Sequence, residues 1–287
     1  DRVLIGGENK EAIDSLINIY ANWVPRERIL TTDLWSSELS KLIANAFLAQ
    51  RISSINSISA LCEKTGADIK QVSLALGTDS RIGPKFLNSG PGFGGSCFKK
   101  DISNLIYICD HYGLYEVSKY WQKVIDINFW QAERISNLVV NKLFGNLSNK
   151  KISILGFAFK ANTNDTRESP AIKICRNLLE EGANLKIYDP KVAKSQIDKD
   201  LGEILNSNKN SEYGNWIYCD SAKKTFEEAD ATLILTEWEE FKFLNWSELA
   251  SDMRRPSWVF DTRSIVNLDL AKKAGLKIWS IGNGTLI

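Results

Sequence analysis

The residue types best suited to chemistry gather in one stretch, Gly90-Pro91-Gly92-Phe93-Gly94-Gly95-Ser96-Cys97-Phe98-Lys99-Lys100-Asp101. Its glycines have no Cβ to hold a ligand or a neighbouring backbone away, and the bend they make ends in a cysteine. The residues that follow, 101–109, read as a helix with Ile102, Leu105, Ile106 and Cys109 on one face. Cys97 therefore stands just before a helix N-terminus, with Lys99 and Lys100 beside it. The partial positive charge of a helix end and nearby ammonium groups both favour thiolate over thiol. Such an arrangement offers nucleophilic attack on a bound substrate.

The other cysteines lack this setting. Cys62, Cys109 and Cys175 fall in apolar helical runs and read as core, and Cys219, near a strand end, reads as structural. The chain has one histidine, His111, at the end of a predicted helix, where it reads as a cap or a solvated side chain. No multi-histidine metal site is available, no metal is expected, and any base for Cys97 must be another residue type.

The 287 residues suffice for one large or two moderate domains. A net charge of +1 gives no reason to expect nucleic acid or a membrane surface as partner. No apolar run reaches the roughly 18 residues of a transmembrane helix. Five cysteines without regular spacing argue for a reducing compartment and against disulfides or structural zinc. A cytoplasmic location is the expectation.

The elements that must position Cys97 come in three kinds. Residues 2–31 read as strand, helix, strand (2–7, 11–23, 29–31), with Ile13, Leu16, Ile17 and Tyr20 on one helix face. A unit of this kind needs a sheet supplied from elsewhere, so residues 1–34 are expected to be the remnant of an N-terminal α/β domain. A long helix over 38–64, capped by Ser36 or Ser37, follows; at about 1.5 Å per residue it is on the order of 40 Å long. Lys41 and Asn45 lie one turn apart on it and share a face, which suits a solvated stripe as well as a site. A helix over 69–76 leads through Arg81-Ile82-Gly83-Pro84-Lys85-Phe86-Leu87 into the glycine loop. A second long helix over 114–144 carries Tyr120, Trp121 and Trp130 and stops at Gly145. So much aromatic surface fits a subunit interface or internal packing.

From Lys150 strands and helices alternate: strands at 151–156, 185–188, 231–236, 258–261 and 278–281, helices at 171–181, 222–229 and 268–274. This pattern predicts an α/β fold with a doubly wound parallel sheet and ligands at the carboxyl ends of its strands. The polar stretch 191–216 reads as a surface insertion. The first strand-to-helix turn, Gly156-Phe157-Ala158-Phe159-Lys160, lacks the further glycines of a dinucleotide fingerprint. A different nucleotide is expected there, its phosphate received by the helix N-terminus and Lys160.

Five segments now come into register: residues 35–47, the loop 92–101, Gly156–Lys160, Asp165-Thr166-Arg167-Glu168-Ser169 and Asp261-Thr262-Arg263. Together they resemble the UDP-glucose/GDP-mannose dehydrogenase family, in its UDP-glucose 6-dehydrogenase branch. The resemblance implies an N-terminal NAD-binding domain, a helical centre that forms the dimer, and a C-terminal UDP-binding domain. This chain would hold the end of the first (1–34), the second (35–147) and the third (148–287), and would not be a competent dehydrogenase alone.

The implied reaction is a four-electron oxidation of UDP-glucose to UDP-glucuronate in two NAD-dependent hydride transfers, in a homodimer or larger oligomer. Cys97 would add to the intermediate aldehyde, giving a thiohemiacetal and then a thioester that water cleaves. Lys41 matches the lysine that stabilises charge on the C6 oxygen and Asn45 its hydrogen-bonding companion. Asp101 matches the aspartate that orients that lysine and water, although a helix N-terminus alone would favour an acid there. Arg81 matches an arginine reaching the sugar nucleotide of a neighbouring subunit. Phe86, Leu87, Asn88, Gly92, Phe93, Gly94, Phe159, Lys160 and Arg263 fall in the UDP-sugar site, and Cys97, Lys100 and Arg167 face NAD. Asn88 stands where animal relatives carry lysine, and the family's NAD fingerprint and hydrolytic glutamate have no counterpart here. Related GDP-mannose and UDP-N-acetylmannosamine dehydrogenases share this architecture. A silent UDP-sugar-binding or dimer-scaffold role, and more distantly a thiol hydrolase, are the readings of another class.

Overall fold

The computed structural model describes residues 2–207 and 213–286, without the side chains of 203–207 and 286. Two compact units make up the chain: residues 1–48 with 100–122, and 49–99 with 123–287.

In chain order, β1 (Val3–Gly6), α1 (Lys10–Tyr20) and β2 (Ile29–Thr32) form a parallel strand pair with its crossover helix. Asn9 opens α1 by accepting a bond from the Ala12 N–H at 2.9 Å. No α1 residue is buried, and Leu16, Ile19, Trp23 and Leu30 are exposed. The helix α2 (Leu34–Thr65) starts earlier than its serines predict. Asp33 takes the capping role instead, its carboxylate accepting from the Ser36 N–H at 2.8 Å and the Ser36 hydroxyl at 2.6 Å. An ionised acceptor suits a helix N-terminus better than a hydroxyl, and the Ser36 bonds hold the Asp33 carboxyl below its ordinary range. After α3 (Ile69–Thr78), capped by Asp68, come α4 (Phe98–His111) and α5 (Tyr115–Lys142). Phe144 and then Gly145 adopt left-handed backbone (φ 72° and 75°) and end the last of these.

The second unit holds the sheet. Its strands β3 (Lys151–Leu155), β4 (Asn184–Tyr188), β5 (Trp216–Tyr218), β6 (Ala231–Ile234), β7 (Trp258–Asp261) and β8 (Lys277–Ser280) are all parallel, in the order β5-β4-β3-β6-β7-β8. Ile152, Ile154, Leu155, Leu233, Ile234, Val259 and Phe260 are wholly or almost wholly buried, as strands covered on both faces must be. The strand order turns back between β3 and β6, which opens a crevice at their carboxyl ends. This is the doubly wound α/β sheet that the strand–helix alternation predicts.

The helices of this unit depart from expectation in places. Ser169 caps α6 (Pro170–Glu180), with proline at its first position, as expected. The supposed surface insertion contains α7 (Lys194–Ser207), whose Ile197 and Leu201, one turn apart, are buried. Polar residues between these apolar positions concealed the stripe; residues 208–212 of that stretch lie outside the described residues. Glu228 takes left-handed backbone, and α8 (Ala222–Phe226) ends before the predicted 229. Two short helices, α9 (Glu239–Lys242) and α10 (Trp246–Asp252), escape a periodicity reading because they span so few turns, yet they bury Phe241, Trp246 and Leu249. The helix α11 (Leu268–Lys273) leads into β8. Among the described residues no helix is long and apolar enough to cross a membrane.

Candidate active site

The glycine loop lies in the second unit and is bound by its backbone. Gly90 N–H donates to Asn56 Oδ1 at 2.8 Å, and its carbonyl accepts from Gln131 Nε2 at 2.8 Å. Phe93 N–H donates to Asn128 Oδ1 at 2.7 Å, and Gly95 N–H to the Arg167 carbonyl at 2.8 Å. Gly94 shows why a side chain is excluded: a Cβ there would stand 2.6 Å from the Glu168 carbonyl oxygen and 2.7 Å from Phe159 Cβ. The loop thus rests on the β3–α6 connection, and Cys97 emerges from it exposed at the residue before α4. The four other cysteines are buried, and burial pushes the thiols of Cys62, Cys109, Cys175 and Cys219 up. Burial therefore separates Cys97 from the other four cysteines, which pack as the sequence expects of core residues.

Arg167, in the same connection, forks onto Asp165 (2.7 Å) with its guanidinium largely exposed. Lys99 pairs with Glu168 at 2.8 Å and lies over the Phe129 ring. These two residues, with Phe93 and Asn128, line a cavity of about 350 Å³ beside the loop.

A larger cleft of about 590 Å³ contains Leu87, Asn88 and Arg263 of the expected sugar-nucleotide residues. Arg263 is mostly buried. Its Nε donates to the Leu235 carbonyl at 2.8 Å, its Nη2 to the Phe159 carbonyl at 3.4 Å, and its Nη1 lies 3.0 Å from Glu237. Burial lowers its pKa, against the opposing pull of Glu237. Leu235 follows β6 and Phe159 follows β3, so the arginine occupies the crevice where the strand order reverses. Lys70 and Lys242 add cations to the cleft wall, and the combination suits an anionic nucleotide.

The turn after β3 is closed by an aspartate from the end of β4. The N–H groups of Phe157 and Ala158 donate to Asp189 Oδ2 at 2.7 and 3.0 Å. That buried carboxylate also accepts from Trp238 Nε1 at 3.1 Å and, through Oδ1, from the Lys191 and Val192 N–H groups. The Phe157 and Ala158 N–H groups of the turn are thus taken by a side chain of the protein itself. Lys160 is exposed over the Phe159 ring and lines neither cavity. Phe86 is exposed with left-handed backbone (φ 63°). Arg81 forks onto Asp79 at 2.6 Å, its side chain 87% exposed, outside both cavities.

In the first unit, Lys41 and Asn45 both donate to Asp101 Oδ2, each at 2.6 Å. Asp101 is 2% exposed, while the Lys41 side chain is 64% exposed. Burial pushes the Asp101 carboxyl up, but the Lys41 and Asn45 bonds and the Lys41 and Lys100 charges outweigh it and hold it below its ordinary range. The ion stays a carboxylate, and it aims an ammonium that keeps further N–H donors for a ligand. Lys100 itself is exposed. A cavity of about 310 Å³ lies beside Lys41, walled by Trp35, Leu39, Leu42 and Tyr107.

Sequence reasoning missed Asn56, Asn128 and Gln131, which grip the loop, and Glu237 and Asp189, which staple the crevice. Only an amide on an otherwise buried helix face, or an acid straight after a strand, could have signalled them. Among the described residues no cluster of His, Cys, Asp and Glu could hold a metal ion.

With this geometry established, comparison with known proteins is direct. The central domain of the UDP-glucose/GDP-mannose dehydrogenase family matches residues 35–130, and that family's UDP binding domain matches residues 153–268. UDP-glucose 6-dehydrogenase 1 of Glycine max is 53% identical over 296 aligned residues, covering 98% of this chain and 62% of the relative. UDP-glucose 6-dehydrogenase of Caenorhabditis elegans is 50% identical, covering 98% of this chain and 59% of the relative. Among solved structures, a UDP-glucose dehydrogenase from Pyrobaculum islandicum is similar with a TM-score of 0.79 at 28% identity, over 99% of this chain and 59% of that one. The chain thus spans about three-fifths of the length of the relatives it matches. A central and a UDP-binding domain matched in order along most of its residues make this chain a member of the UDP-glucose/GDP-mannose dehydrogenase family.

Proposed function

We propose that this chain carries the nucleophile and the UDP-sugar site of an NAD-dependent UDP-glucose 6-dehydrogenase. It is divided as a remnant of the NAD-binding domain (1–34), a central helical domain (35–147) and a UDP-binding domain (148–287). The observation that carries the reading is the exposed Cys97 at the end of the glycine loop, among five cysteines of which the others are buried.

The chemistry follows from what each group can do. Oxidation of the glucose C6 alcohol removes a hydride from carbon and a proton from oxygen, and the exposed ammonium of Lys41 stabilises charge on that oxygen. Asp101 fixes the ammonium and, with Asn45, a water. The aldehyde so formed has no hydroxyl on C6 from which a second hydride departure could be driven. Addition of the Cys97 thiolate, with a proton to oxygen, makes a thiohemiacetal that has one. Loss of the second hydride leaves a thioester, and water cleaves it to carboxylate and free thiol.

NAD, when bound, supplies the acceptor for both hydrides. The exposed cations Arg167 and Lys100 fit its anionic backbone, and Cys97 faces it. UDP occupies the cleft of Leu87, Asn88 and Arg263, with Phe86, Gly92, Phe93, Gly94, Phe159 and Lys160 about the sugar nucleotide. Arg81, exposed and paired with Asp79 of its own chain, meets the ligand of a neighbouring subunit in a homodimer or larger oligomer. A cytoplasmic setting accords with five free thiols.

The test is oxidation by the intact protein of UDP-glucose, GDP-mannose and UDP-N-acetylmannosamine, with NADH and products quantified. UDP-glucuronate from UDP-glucose is the expected result. Turnover of either rival without UDP-glucose would overturn the substrate assignment.

A further inference from the structure

We propose that Asn128 and Gln131 are positioning residues for Cys97, acting by fixing the register of the glycine loop. The proposal rests on Cys97 being the nucleophile, and it concerns how the thiol is presented rather than which substrate it meets.

Asn128 and Gln131 stand three apart on α5 and so share a face. The Asn128 carboxamide pairs with both backbone groups of one residue: Oδ1 accepts from Phe93 N–H at 2.7 Å and Nδ2 donates to the Phe93 carbonyl at 3.1 Å. This is the exchange that an antiparallel strand would make. Gly90 is held in the same two-sided way, its N–H by Asn56 Oδ1 and its carbonyl by Gln131 Nε2, both at 2.8 Å. Asn56 and Gln131 are fully buried, so water cannot replace a lost bond at little cost.

The chemistry specifies amides. A carboxylate at 128 could not donate to the Phe93 carbonyl, and an ammonium could not accept from its N–H. The orientation of Gln131 is also fixed, because Arg134 Nε donates to its Oε1 at 3.2 Å while Arg134 pairs with Glu63 at 2.8 Å. That leaves only the NH₂ group to face Gly90. From the loop side, Gly92 has φ 134°, and a Cβ there would sit 2.8 Å from Asn128 Oδ1. The glycine is what lets the amide in. Three residues on, Gly95 is tied to the Arg167 carbonyl, so the loop is anchored at Gly90, Phe93 and Gly95 before it releases Cys97. Loss of the middle anchor would let the thiol drift from the β3–α6 connection that carries Arg167 and to which Gly95 is tied.

The experiment alkylates Cys97 of the chain with iodoacetamide and with iodoacetate, read by mass spectrometry, and compares the two rates. The ratio of anionic to neutral reagent reports the cationic setting of the sulfur, a quantity that lowered stability alone does not move. Asn128→Ala, Asn128→Asp and Gln131→Met are expected to lower the iodoacetate-to-iodoacetamide ratio about threefold or more. Ser136→Ala, on the same helix but with its hydroxyl bonded to Ala132 and Asn177, should leave it unchanged. Should Asn128→Ala not fold, Gly92→Ala disturbs the same contact from the loop side and is expected to give the same fall. Folded variants with the native ratio, or an equal fall in Ser136→Ala, would overturn the proposal. A native ratio in the variants would not touch the dehydrogenase reading, whereas failure of the intact protein to oxidise any sugar nucleotide would leave the loop result standing.

Discussion

Asp101 and Asp261 are both buried aspartates with several hydrogen-bond donors, and their carboxyls are driven in opposite directions. Among the described residues the carboxylate of Asp261, at the end of β7, accepts only from backbone N–H groups of its own turn, those of Arg263, Ile265 and Val266. Burial outweighs these bonds and raises its pKa. Asp101, in the first turn of α4, meets a lysine and an asparagine from α2, and there the side chains overcome burial. Burial of an acid therefore does not mark chemistry; what faces it does. Asp261 staples a turn that presents Arg263, whereas Asp101 keeps a charge that aims an exposed ammonium.

Substitutions at the two sites should therefore fail differently. Asp101→Asn in the intact protein removes the charge that positions Lys41, and kcat is expected to fall about 100-fold while UDP affinity stays near native; steady-state kinetics with UDP titration separates the two. Arg263→Ala is expected to weaken UDP binding by roughly 1.5–3 kcal/mol, measured by calorimetry. Asp261→Asn should lose about 1–3 kcal/mol of stability in urea unfolding, with UDP binding impaired less than in Arg263→Ala. Equal kinetic damage from the two aspartate variants would erase the distinction drawn here.

The smallest effect is in pH dependence. The lowered Asp101 carboxyl contributes stability in full above its ordinary value of 3.8 and loses it as pH falls through its lower folded value. The raised Asp261 carboxyl does the reverse: its penalty is present above its folded value and disappears as pH falls toward 3.8. Carboxyl titration by NMR should place Asp101 below 3.8 and Asp261 above it.

The difference also explains what was legible in the sequence. Cys97 could be singled out because glycine, serine and lysine surround it, and the strands of the sheet because their apolar runs are almost unbroken. The Lys41–Asn45 pair was visible as one helix face, but its partner lies 60 and 56 residues away in sequence, a distance no local pattern encodes. The same holds for Asp189, which joins segments on three sides of the crevice. Helix α7 was hidden by its charges, and α9 and α10 by their brevity.

The central claim is that Cys97 holds the oxidised carbon between two hydride departures. The most direct measurement is the yield of NADH and UDP-glucuronate from UDP-glucose in the intact protein and its Cys97→Ser variant. The native protein should release two NADH for each UDP-glucuronate formed, and the variant should form no UDP-glucuronate. A serine variant that still completes both oxidations at the native rate would contradict the account.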